Sequence, residues 1–260
     1  MSDDSVLLAV DDGLARLTLN RPDRLNALTR VMMLRLGAIL AEVTRREDVR
    51  VISITGAGRG FCAGQDLSER DPRTLSEPLD LAAIQRELFH PVIRALAETS
   101  KPVVTAVNGV AAGAGAGLAL AGDVVIAAEG AKFIFSFAKV GLSVDAGLGR
   151  ALAAGLGVQR ARALLMLGET LSATDAAAAG LIWRTWPENE LAERHEALLR
   201  QLAATPRSAL SGIKTALAAA HLGLDAYLDV EAAAQGRAGA HPDYAEGVLS
   251  FLERRPPVFS

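Results

Sequence analysis

Twice in this chain a short apolar strand runs straight into a glycine-rich loop. Residues 49–55 are rich in β-branched side chains, and Gly56-Ala57-Gly58-Arg59-Gly60 follows at once. Residues 103–107, opened by Pro102, lead into Asn108-Gly109-Val110-Ala111-Ala112-Gly113-Ala114-Gly115-Ala116-Gly117 and then a short helix ending near Gly122. A helix precedes each strand. In the first, residues 29–46, Met32, Met33, Leu36, Ile39, Leu40 and Val43 recur at helical spacing behind Thr29 as N-cap; the second spans about 79–98. A strand that ends in such a loop builds a pocket at its end, so the repeat constrains both the architecture and the place of a site.

The remaining segments fit around this repeat. Residues 6–10 and 14–19 alternate about Asp11-Asp12-Gly13, which predicts a hairpin. Residues 124–128 and 132–136 add two strands, so the first two-thirds reads as an α/β spiral of stacked β-β-α units and not as strict β-α-β alternation. Beyond Gly147 the pattern is helical over 147–155, 158–167, 174–179, 190–204, 208–220, 224–237 and 244–254, with one strand-like run at 181–186. The expected division is a core over 1–200 and a helical region over 201–260. The alanine-rich helices of that region have broad apolar faces that suit packing against another subunit or against the chain's own core.

At 260 residues the chain is long enough to bury a substantial core. A formal net charge of −3 with 22% charged residues excludes the basic balance of a nucleic-acid binder and points to a small-molecule partner. Cys62 is the one cysteine, which rules out an internal disulfide framework. The start, Met1-Ser2-Asp3-Asp4-Ser5, lacks the basic and apolar parts of a signal peptide, and the apolar run 118–125 is broken by Gly122-Asp123, so a cytoplasmic location and no membrane span are expected. His90, His195, His221 and His241 show no metal-ligand spacing, and no metal site is expected.

The second glycine run lacks a nicotinamide fingerprint, because G-x-G-x-x-G needs glycine where Leu118 stands. Its place before a helix instead aims the N–H of Ala114 outward with the positive helix end behind it, unless the glycines serve only close packing. Phe61-Cys62-Ala63-Gly64-Gln65-Asp66-Leu67 follows the first loop, and the N–H of Ala63 is expected to face that of Ala114 across the pocket. The alternative there is an ordinary turn in which Asp66 or Ser68 caps a helix. Two convergent N–H groups stabilise a carbonyl oxygen that gains charge. A carboxylate downstream, Asp145, is then either the proton carrier or the N-cap of the helix over 147–155. Neither Cys62 nor Ser143 has a partner histidine that would make it a nucleophile.

Three strings together, Asn20-Arg21-Pro22-Asp23-Arg24-Leu25-Asn26-Ala27-Leu28, Phe61 through Leu67 with Thr55-Gly56 before it, and Ala106-Val107-Asn108-Gly109 with the glycine run, resemble the enoyl-CoA hydratase/isomerase (crotonase) superfamily. Leu171-Ser172-Ala173 and Ala179-Gly180-Leu181-Ile182 extend the likeness to nearly the whole chain. The resemblance implies a crotonase-like spiral of β-β-α units, a C-terminal helical trimerisation region, and a homotrimer or dimer of trimers. It implies an acyl-CoA thioester held by the N–H groups of Ala63 and Ala114, with Arg24, Leu25, Ala27, Gln65, Asp66, Leu67, Gly113 and Phe137 around the substrate and Arg24 near the CoA phosphates. Coenzyme A is then part of the substrate, and no separate cofactor is implied.

Hydratases of this superfamily use two glutamates where this chain has Gly117 and Phe137, which disfavours hydration. Asp145, within Lys139-Val140-Gly141-Leu142-Ser143-Val144-Asp145-Ala146-Gly147, is similar to the aspartate of ring-1,2-epoxyphenylacetyl-CoA isomerases. That subgroup has proline before the aspartate, where this chain has Val144, and Gly-Gly after the next residue, where it has Gly147-Leu148. The implied activity is an acyl-CoA isomerase, turning a ring epoxide into an oxepin or shifting a double bond. A hydratase and an inactive acyl-CoA-binding member are the alternatives.

Overall fold

The computed structural model describes residues 4–259, so Met1–Asp3, part of the N-terminal argument, lie outside it. The hairpin forms as expected. β1 (Val6–Asp11) and β2 (Leu14–Leu19) pair antiparallel, and Asp12 (φ 47°) with Gly13 (φ 78°) supplies the left-handed turn whose twist matches the strands.

Eight further strands follow: β3 (Val51–Gly56), β4 (Gly60–Cys62), β5 (Val103–Val107), β6 (Val110–Ala112), β7 (Val124–Ala128), β8 (Lys132–Ile134), β9 (Thr170–Ser172) and β10 (Arg184–Trp186). They divide between two sheets, one in the order β1-β2-β3-β5-β7-β10 and one in the order β4-β6-β8-β9. From β2 to β10 the larger sheet is parallel. In the pairs β3/β4, β5/β6 and β7/β8 the chain lays one strand in the larger sheet, crosses a short loop, lays the next in the smaller sheet, and returns through helix. This is the spiral of β-β-α units, and it stacks the ends of β4 and β6, with their loops, side by side.

Burial explains why the elements sit where they do. Strands β3 and β5 are buried almost throughout, as expected for parallel strands covered on both faces. The helix Arg30–Val43 buries all six of its periodic apolar residues, and the Thr29 hydroxyl accepts the Met32 N–H at 3.2 Å. Phe61, Phe133 and Phe135 are fully buried at the smaller sheet. The helix expected over 79–98 differs in an informative way: Leu81–Ile84 and His90–Glu98 are joined by a π turn, Gln85–Phe89. A π turn inserts one residue into the ladder and re-aims the side chains around it.

The helix Glu188–Ala203 lies across β2, β3, β5 and β7 and runs past residue 200, so the break before the C-terminal helices falls at 204–206. Those helices are Arg207–Ala218, Leu224–Gly239 and Pro242–Glu253. Lys214 ties the first of them to the core, donating to the Leu96 carbonyl and the Asp123 carboxylate, each at 2.8 Å. No helix among the described residues is long and apolar enough to cross a membrane.

Candidate active site

The site begins where β4 ends. The segment after it runs alongside residues 25–28. Ala63 N–H donates to the Leu25 carbonyl at 2.9 Å, Leu28 N–H to the Gly64 carbonyl at 2.7 Å, and Asp66 N–H to the Leu28 carbonyl at 2.9 Å. The N–H expected to face the pocket, that of Ala63, is therefore already spent. In the parallel bridge between Leu28 and Gln65 the bonds pass through Gly64 and Asp66, which leaves the N–H of Gln65 directed to the other side. The uncommitted N–H of this segment is therefore that of Gln65, two residues beyond Ala63.

Ala114 is the first residue of the helix Ala114–Ala119, so its N–H has no acceptor inside the helix. Gly64, at φ +92°, brings the two segments together: a Cβ there would lie 2.8 Å from the Ala112 carbonyl oxygen and 3.8 Å from the Ala114 nitrogen. Only glycine permits this approach. Two uncommitted N–H groups, of Gln65 and Ala114, thus sit on adjoining backbones.

The loop that supports this arrangement is held by side chains in the first string. Asn26, fully buried, donates to the carbonyls of Ala57 at 3.0 Å and Gly60 at 2.8 Å while its Oδ1 accepts the Arg21 N–H at 2.8 Å. Arg21 donates to the Ala27 carbonyl and to Asp66 Oδ2 at 2.8 Å. Against the cost of its burial, Ser68 and Arg21 hold the Asp66 carboxyl below the usual carboxylate range. Asp66 is thus occupied within the protein. Leu25 packs on Gly60, while Arg24 and Leu67 are exposed at the rim.

Asp145 does not cap the next helix. The helix Leu148–Leu156 has Gly147 at its N-cap, with no side-chain bond. The Asp145 carboxylate turns inward, where Oδ2 accepts from Gln65 Nε2 at 2.7 Å and from Gln85 Nε2 at 3.0 Å. Its Oδ1 is buried and meets no hydrogen-bond partner. Burial pushes its carboxyl above the ordinary range, and Gln65, Arg70 and Gln85 offset part of that rise. Gln65 faces a cleft of about 210 Å³ lined also by Met33, Arg70 and Leu88, and Asp145 a second of about 330 Å³ lined also by Gln85, His90 and Arg150. A larger cavity, about 720 Å³ between Leu120, Trp183 and Leu202, contains none of these groups.

Cys62 is fully buried, and burial pushes its thiol up to about 12. His195 is pushed down to about 4 by burial and bonds Ser53 Oγ at 2.8 Å. Among the described residues no group of three His, Cys, Asp or Glu is placed to hold a metal ion. Two participants escaped the sequence: Gln85, inside what reads as one continuous helix, and Arg70, one cation in a charged stretch.

The model of the enoyl-CoA hydratase/isomerase family matches residues 9–260. The chain belongs to the enoyl-CoA hydratase/isomerase family. It is 44% identical over 256 residues to the 1,2-epoxyphenylacetyl-CoA isomerase of Escherichia coli (strain K12), covering 98% of both chains. It is 40% identical over 264 residues to a probable enoyl-CoA hydratase of Rhodobacter capsulatus, covering 100% of this chain and 99% of that one. The crystal structure of an enoyl-CoA hydratase candidate from Streptomyces coelicolor A3(2) superposes with a TM-score of 0.92 at 40% identity, covering 98% of this chain and 94% of that chain. The crotonase-type spiral expected from the sequence is therefore the fold.

In this hydratase/isomerase family member the packing around Gly113 and Gly117 is apolar and tight. Phe137 is buried with its Cζ 3.8 Å from where a Gly113 Cβ would stand. At Gly117 a Cβ would lie 2.7 Å from the Ala146 Cβ and 2.8 Å from the Ala146 carbonyl oxygen. The loop that carries Asp145 packs directly on Gly117, so a side chain at 117 and this loop position exclude each other.

Proposed function

We propose that this chain is an acyl-CoA isomerase. The thioester oxygen is held between the N–H groups of Gln65 and Ala114, which lowers the cost of breaking a C–H bond next to the carbonyl or one double bond further along. The electron pair passes into the thioester as an enolate, the proton passes to Asp145, and Asp145 returns it to another carbon. The double bond shifts with no net gain or loss of atoms or electrons, so no redox cofactor takes part. For a ring epoxide the same enolate stabilisation and the same acid assist opening and expansion to an oxepin. The exposed Arg24 suits the CoA phosphates, and Leu25, Ala27 and Leu67 border the path of the coenzyme.

The observation that carries this assignment is the Asp145 carboxylate, turned inward onto Gln65, the residue whose N–H is one of the two donors. The name of the Escherichia coli relative supports an isomerase, and that of the Rhodobacter relative keeps hydration as a second possibility. The absence of a carboxylate at Gly117 and Phe137 argues against it, because nothing there activates a water. The decisive test follows the conjugated product from a cis-3-enoyl-CoA. The parent forms it and Asp145→Asn loses about a thousandfold or more in rate while still binding acyl-CoA. Full activity in Asp145→Asn overturns the role of Asp145, loss of the chromophore of crotonyl-CoA marks a hydratase, and binding without any turnover marks a binding protein.

A further inference from the structure

We infer that Asp145 accepts and delivers its proton through Oδ1 alone, because the side-chain amides of Gln65 and Gln85 clamp Oδ2, and that Gln85 is a positioning residue of the site. The inference rests on Asp145 being the proton carrier. Both amides donate to the same oxygen, at 2.7 Å and 3.0 Å, while Oδ1 is buried and has no donor, and the side-chain oxygens of Gln65 and Gln85 are likewise buried without a partner. A buried acceptor without a partner costs stability, and three of them around one carboxylate mark a place kept polar for a task. For Oδ1 that task is to meet a substrate C–H. The clamp fixes the plane of the carboxylate, so that one lone pair, and not either of two exchanging oxygens, faces the substrate.

The two amides come from different parts of the fold, which makes the clamp a device of the tertiary structure. Gln65 follows β4 and contributes through two groups: its main-chain N–H faces the thioester oxygen and its side chain holds the acid. One residue therefore fixes the spacing between the oxyanion donor and the proton acceptor. Gln85 stands at the first position of the π turn Gln85–Phe89, where the widened ladder re-aims side chains. The other charged or titratable groups around Asp145 are Arg70 on the turn Leu67–Arg70, with Glu69 beside it, His90 on the helix that follows the π turn, and Arg150 on the helix Leu148–Leu156. Arg70 favours the ionised carboxylate, as the amides do.

Gln85→Leu and Gln65→Leu test the clamp, because neither removes a main-chain N–H. In turnover of a cis-3-enoyl-CoA, where the ionised acid is the active form, each variant should lower kcat about tenfold with KM changed less than about twofold. The acidic limb of the kcat profile should move to higher pH by about one unit, since a donor to the charged form is lost. Gln85→Glu should move it further, because two adjacent carboxyls then share one proton. The double variant Gln65→Leu/Gln85→Leu should lose less than the product of the single losses, because both act on one oxygen. A uniform fall in kcat at all pH values, with the limb unmoved in all the variants, would show a merely structural role and overturn the inference. Far-UV circular dichroism of each variant accompanies the kinetics, and Gln85→Asn should recover part of the rate if the amide is what matters. If Asp145→Asn is inactive while the glutamine variants behave as the parent, only the clamp is wrong; if Asp145→Asn is fully active, the isomerase mechanism itself is.

Discussion

At the scale of single residues, the site is a set of exclusions as much as contacts. Ala63 and Gln65 are two positions apart in one loop, yet Leu25 takes the N–H of the first and leaves that of the second available. Gly117 has no side chain because Ala146 occupies the space, so an acid at 117 and an acid at 145 belong to different arrangements of the same pocket. Gly117→Ala should therefore destabilise the protein by about 1–3 kcal/mol and reduce isomerase turnover as the Asp145 loop is displaced, measured by thermal melting and by kcat. Gly117→Glu should fare worse and still not hydrate crotonyl-CoA. Asp145 carries a cost to stability of its own. Its carboxyl titrates higher folded than unfolded, so the folded state binds the proton more tightly and stability falls as pH rises through the folded pKa. Asp145→Asn should then melt at or above the parent temperature at neutral pH, and the difference should shrink as the pH is lowered.

At the scale of elements, local chemistry decides where segments begin, and contacts with the rest of the fold decide how they are bent. The helix Arg30–Val43 starts at the Thr29 cap that its sequence announces, and Thr29→Ala should cost about 1 kcal/mol, visible as a fall of about 2–4 °C in Tm. All seven of the expected helices beyond Gly147 lie within two residues of their expected ends, because apolar periodicity marks them well. The three-residue strands β4, β6 and β9 are invisible to the same reasoning: no alternation can be read from three residues, and they exist because neighbours in the smaller sheet pair with them. The π turn is equally hidden, since it changes aim without changing composition. That single turn is what brings Gln85 to Asp145, which is why the glutamine was missed.

At the scale of the whole molecule, the C-terminal helices expose more apolar surface than a lone chain has use for. Leu217 is 66% exposed, Leu224 70%, Phe251 82% and Leu252 70%. These faces suit the subunit contacts of a homotrimer or a dimer of trimers. Light scattering should give a mass that is a multiple of three chains, and Phe251→Glu, which places a charge on that surface without touching the core, should lower it. Lys214, which joins this region to Leu96 and Asp123 of the spiral, links such an assembly to the elements behind the site.

The sequence alone determined the spiral of β-β-α units and the helical tail, and it pointed to the N–H of Ala114 and to Asp145, because glycine spacing, apolar periodicity and the family strings are all local in the chain. It placed the second donor at Ala63 because it has no means of telling which of several successive N–H groups is already bonded. Only the tertiary structure decided that the N–H of Ala63 is bonded while that of Gln65 is uncommitted, that Asp145 faces inward instead of capping a helix, and that Gln85 and Arg70 stand beside it. Each of these depends on segments 20 or more residues apart meeting at one point, and hydrogen-bond partners at that distance are set by packing and not by neighbouring letters.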